Sequence, residues 1–80
     1  MNMRDVITGW TKVTISELGF IEKEDITDET TLENIDAEAL MEDIQAEYDI
    51  YISTEDVKGC KNFKELVDLI LSRGIEGHNE

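Results

Sequence analysis

The side chains able to make or break a covalent bond are few. The serines are Ser16, Ser53 and Ser72, the one cysteine is Cys60 and the one histidine is His78. A hydroxyl or thiol becomes a useful nucleophile only beside a base or with a depressed pKa, and no base is placed near any of these by the sequence. His78 falls in the C-terminal stretch and is expected in solvent. Asp25, Asp28, Glu29 and Glu33 are densely spaced but lack the Asp-x-Asp-x-Asp-Gly order of a calcium loop. They read as solvated acids, with weak cation binding as the other reading. No Cys/His pattern has zinc spacing, and no Gly-rich run could cradle a phosphate. The chain is therefore expected not to be an enzyme and to hold no metal. What the sequence does concentrate is negative charge, in Glu33, Asp36, Glu38, Glu42, Asp43 and Glu47.

That charge is unevenly distributed. The chain has 80 residues and a formal net charge of −13. Residues 1–21 carry two acids and two bases, residues 22–49 twelve acids and one lysine, and residues 50–80 six acids and four bases. A field of this sign repels nucleic acid and anionic membrane and speeds encounter with basic partners. A well-hydrated soluble surface is the plainer reading, but concentration in one segment exceeds what solubility needs. The lone Cys60 cannot form an internal disulfide and fits a reducing compartment. It reads as a small, partly buried apolar residue. The longest apolar run, LVDLIL at 66–71, is broken by Asp68 and is far short of the roughly 20 residues of a membrane span. The first residues have no apolar core or cleavage site of a signal peptide. The expected address is the cytoplasm.

The elements that must position these acids follow from periodicity and caps. Met3, Val6, Ile7, Trp10, Val13 and Leu18 recur at helical spacing. The β-branched run Val13-Thr14-Ile15 also fits a strand, and Gly9 disfavours a helix by about 1 kcal/mol. The match from Met3 through Trp10 decides for a helix over residues 3–18, with Gly19 as its C-terminal cap. Residues 20–35 have no sustained period and read as a long loop held down by Phe20, Ile26, Leu32 and Ile35. Asp36 is a good N-cap for a second helix over 37–48. In it Ala37, Leu40, Met41, Ile44 and Tyr48 form an apolar stripe, and Glu38, Glu42, Asp43, Gln45 and Asp49 face outward. Ser53 starts a short helix that Gly59 stops. Asn62 caps a last helix with Glu65 three residues on, apolar at Phe63, Leu66, Val67, Ile70 and Leu71 and ended by Gly74. The whole predicts an all-α fold, a four-helix bundle in one domain over 1–74, followed by a flexible tail at 75–80.

This order of elements resembles the acyl carrier proteins, and specific residues carry the resemblance. Gly19 followed by EDITDETTL (24–32) is similar to that family's loop after helix one. Glu47-Tyr48-Asp49-Ile50-Tyr51-Ile52 resembles its Glu-Phe-Asp-x-x-Ile after helix two. From Tyr48 to Ile70 a typical member aligns without a gap, and with the upstream loop the likeness covers nearly the whole chain, on motifs of moderate specificity. The resemblance implies a four-helix bundle with a long first loop, a shortened second helix and a short third helix. Between Leu32 and Tyr48 the chain is shorter than the usual member, which leaves two registers. The family's phosphopantetheine-bearing serine falls on Ala39 in one and on Asn34 in the other.

Neither residue has a hydroxyl to accept the phosphate. Thr30 and Thr31, in the loop, would be displaced attachment sites, and turn chemistry is their plainer role. The resemblance thus implies a family member without its prosthetic group, and no cofactor is expected. In the family, acids on helix two meet basic patches on partner enzymes, and Glu38 takes the place of the acid before the serine in the first register. The expected function is a non-carrying interaction module. It docks as a monomer on a basic protein surface, such as that of an acyl-transfer or synthase enzyme of fatty acid or polyketide assembly, through residues 33–49. Two alternatives stay open. One is a working acyl or peptidyl carrier modified at an unrecognised site. The other is an acidic DNA mimic that inhibits a nucleic-acid-binding protein. Direct binding of nucleic acid or membrane is not expected.

Overall fold

Four short polar side chains start the four α-helices found among the described residues, each by accepting a hydrogen bond from a backbone N–H left orphaned in the first turn. The computed structural model describes residues 2–19, 21–33 and 35–75, with side chains to Arg73. Helix α1 spans Met3–Glu17, α2 Ala37–Tyr48, α3 Thr54–Lys58 and α4 Phe63–Ile70. Asn2 caps α1 through Asp5 N (2.8 Å) and Asp36 caps α2 through Ala39 N (3.2 Å). Ser53 and Asp56 form a reciprocal capping box on α3. Asn62 caps α4 through Glu65 N (3.0 Å), while the Glu65 carboxylate reaches one residue further back than expected, to Lys61 N (2.8 Å). No strand occurs among the described residues, and the fold is all-α.

The buried apolar residues form one cluster that runs from Ile7 to Ile70. Helix α2 contributes Leu40 and Ile44, and α4 contributes Phe63, Leu66, Val67 and Ile70, all on the stripes expected from spacing. Ile26, Leu32 and Ile35 are buried and anchor the connection between α1 and α2. Phe20, the fourth expected anchor, lies outside the described residues, as do residues 76–80 of the expected tail and His78 with them.

Two expectations are corrected. The buried face of α1 is Ile7, Thr11, Thr14 and Ile15, whereas Met3, Val6 and Val13 are exposed. These buried positions follow i, i+4, i+7, i+8 spacing. Sequence reading favoured the more hydrophobic neighbouring stripe and discounted threonine, which can turn its methyl to the core. Gly74 does not end the last helix. The α-helical turns stop at Ile70 and a π-helical turn, Leu71–Ile75, carries the backbone past it. Contacts there favour continued winding: Ser72 Oγ donates to Leu69 O (3.2 Å), and the Arg73 guanidinium bonds Asp56 (3.0 Å) and Tyr51 O (3.5 Å).

Between α1 and α2 the chain makes a single turn of 3-10 helix, Lys23–Asp25, and then settles against the start of α4. Phe63 N donates to Thr30 O (2.8 Å) and Lys64 N to Asp28 O (3.0 Å). The orphan donors of one helix N-terminus thereby satisfy carbonyls of the loop, and an isolated antiparallel bridge, Thr31 with Asn62, completes the seam. Thr27 and Thr30 stabilise the loop's own turn through hydroxyl-to-backbone bonds, with Thr27 N donating to Thr30 Oγ1 at 2.8 Å. This is the turn role expected of Thr30.

Candidate protein-interaction site

Helix α2 and the turn before it present the acids. Glu33, Asp36, Glu38, Glu42, Asp43 and Glu47 are all exposed. Glu38 and Glu42 stand four residues apart, as do Asp43 and Glu47, so they form two neighbouring rows on the helix surface. Like charges at this spacing destabilise an isolated helix, so α2 depends on the burial of Leu40 and Ile44 on its other side. The helix ends at Asp49, whose backbone takes a left-handed conformation (φ 54°) tolerated by Asp and Asn, with its N–H donating to Gln45 O at 2.8 Å. Gln45, expected on the outer face, is half-buried, and its amide donates to Ile52 O (2.5 Å). It ties the segment after α2 back to the helix, and the outward face carries the acids with the small, exposed Ala46 between their rows.

The ion pairs lie elsewhere. Among the described residues they are Arg4 with Asp68, Lys64 with Asp68 and Arg73 with Asp56, and they join α1, α3, α4 and the π-helical turn. Hydrogen bonds from Arg4, then Lys64, hold the Asp68 carboxyl below the usual carboxylate range. The Ser53 N–H and then Arg73 do the same for Asp56. Among the described residues no cation pairs with an acid between Glu17 and Asp49.

Ala39 is the third residue of α2, half-buried, with its N–H committed to the Asp36 cap. It offers a methyl group and nothing that could accept a phosphate. Asn34, the alternative position, lies outside the described residues.

Beside the acids, a groove of about 540 Å³ opens between the loop, α2 and α3. Leu32, Ile35, Leu40 and Val57 make its apolar wall, Glu33 borders it on the acidic side, and Lys58 and Lys61 border it on the other. Sequence reading passed over this groove because its two sides are 25 or so residues apart in the chain, a distance over which periodicity carries no information. Tyr51, just past α2, is 78% exposed. Cys60 also lines the groove, half-buried, with its thiol donating to Asp56 O (3.5 Å). Burial first, then nearby carboxylates, push its pKa up to about 11, so the thiol is neutral and a poor nucleophile at pH 7. Among the described residues no group of three or more His, Cys, Asp or Glu side chains is placed to hold a metal ion. No helix there is long and apolar enough to cross a membrane.

Comparison with protein-family models, with curated proteins and with solved structures finds no match for this chain.

Proposed function

We propose that this protein is an interaction module of acyl-carrier-protein-like architecture that carries no prosthetic group. It docks on a basic protein surface through residues 33–49. One observation carries the proposal: all six acids assigned to docking are exposed, and none is neutralised by a cation of the described chain. Uncompensated charge of one sign on one face costs stability through self-repulsion, and a basic partner removes that cost on binding. The adjacent groove gives the partner a place to seat one apolar side chain, the kind of central anchor that charge alone does not provide. Support for the architecture is the sequence resemblance together with four helices in the expected order and a long connection before α2. Support for the absence of cargo is chemical, since neither Ala39 nor Asn34, the two positions on which the resemblance places the attachment serine, has a hydroxyl. The partner proposed is an acyl-transfer or synthase enzyme, and the setting the cytoplasm.

Two measurements test this. After incubation with a phosphopantetheinyl transferase and coenzyme A, the intact mass should be unchanged; a gain of one phosphopantetheine would make the protein a carrier. Binding to a panel of immobilised basic synthase and acyl-transfer domains should weaken steeply as salt rises. The double substitution Glu42→Lys and Asp43→Lys should weaken it at least tenfold at low salt. Binding that is indifferent to both salt and charge reversal would remove the acidic face from the function. Displacement of the bound partner by duplex DNA would turn the reading toward a DNA mimic.

A further inference from the structure

We propose that α1 carries a second, independent interface, at which two copies of this chain pair antiparallel. The face lies apart from residues 33–49. Met3, Val6 and Val13 are 42%, 41% and 40% exposed, and with half-buried Trp10 they recur at intervals of three, four and three. This is the spacing of a helix–helix seam, on the flank of α1 beside the face that packs on its own core. Next to that stripe run Asp5, Gly9 and Lys12, at intervals of four and three. Gly9 is exposed, and nothing lies within 4 Å of where its Cβ would be. No contact among the described residues calls for a glycine in mid-helix, where it disfavours the helix. A second helix passing close to the backbone at Gly9 would call for one.

Charge selects the occupant and its direction. Elsewhere the molecule is strongly negative and two copies repel, whereas residues 1–21 are balanced. Asp5 and Lys12 are seven residues apart on one side of the helix, and neither has an ion-pair partner among the described residues. An antiparallel pair centred beside Gly9 brings Asp5 of each copy opposite Lys12 of the other, twice over. A parallel pair would set Asp5 against Asp5 and Lys12 against Lys12. It would also bring together the two acidic turns at Lys23–Asp25, which share a groove with Val13. A single helix buries less than a standard interface, so the dimer is weak and appears only at high concentration.

Sedimentation equilibrium of the full chain at about physiological ionic strength tests this, over a concentration series reaching the millimolar range where a weak pair populates. Wild type should show reversible monomer–dimer exchange. Asp5→Lys should weaken the dimer about tenfold, Val6→Glu with Val13→Glu should abolish it, and Asp5→Lys with Lys12→Asp should restore it. Circular dichroism melts establish that each variant folds. A monomer throughout the series overturns the proposal. So does failure of the charge swap to rescue, which would mark any association as nonspecific apolar contact.

Discussion

Thr11 is fully buried, and its hydroxyl has no hydrogen-bond partner among the described residues. Such a group carries its desolvation cost without return, typically 1–3 kcal/mol. Valine has nearly the same shape and a similar helix propensity. Thr11→Val should therefore stabilise the fold by about 1 kcal/mol, which raises the melting temperature by roughly 4–8 °C in a domain of this size. A thermal melt decides it, and a lower melting temperature would mean that the hydroxyl is satisfied after all. Tyr48 shares the condition. Its hydroxyl is buried without a partner, its ring meets Trp10 edge-on at 5.1 Å, and burial, then Glu47, push its pKa up to about 12. Among the described residues, α1 and α2 thus each bury one hydroxyl without a partner. This matches the difficulty of reading α1 in the sequence, because its core face contains two threonines where leucines would have announced it.

At the scale of elements, legibility followed range. The starts of α2, α3 and α4 depend on one side chain and the next three residues, so Asp36, Ser53 and Asn62 were readable directly. The stripes of α2 and α4 were readable because leucine, isoleucine and phenylalanine repeat along one face. The acids of α2 were readable as exposed because they lie away from such a stripe. The groove beside them and the seam between the loop and α4 were not, since each joins segments distant in sequence. Asn62 tests that seam. It caps α4 through Glu65 N, and its neighbours Phe63 and Lys64 donate to the loop. Asn62→Ala should cost about 1 kcal/mol as a lost cap. If cap and loop form one unit, amide exchange should quicken at Phe63, Lys64 and Glu65 together. Acceleration at Glu65 alone would show that the loop is held independently of the cap.

At the scale of the molecule, two electrostatic terms oppose each other. The three ion pairs among the described residues lie on side chains about 29–56% exposed, and pairs of that kind contribute roughly 0–1 kcal/mol each and weaken with salt. Against them stands a net charge of −13, most of it on residues 22–49 and unpaired among the described residues. Its self-repulsion also weakens with salt, because the Debye length shrinks from about 30 Å at 0.01 M to about 3 Å at 1 M. Many like-charged neighbours outweigh three exposed pairs, so added sodium chloride should stabilise the fold. The melting temperature should rise between low and moderate salt, and Glu42→Lys with Asp43→Lys should raise it at low salt while flattening its dependence on salt. A wild-type melting temperature that fell as salt was added would mean that the exposed pairs dominate. The acids of α2 would then impose no strain for a basic partner to relieve, and the energetic basis for docking would be lost.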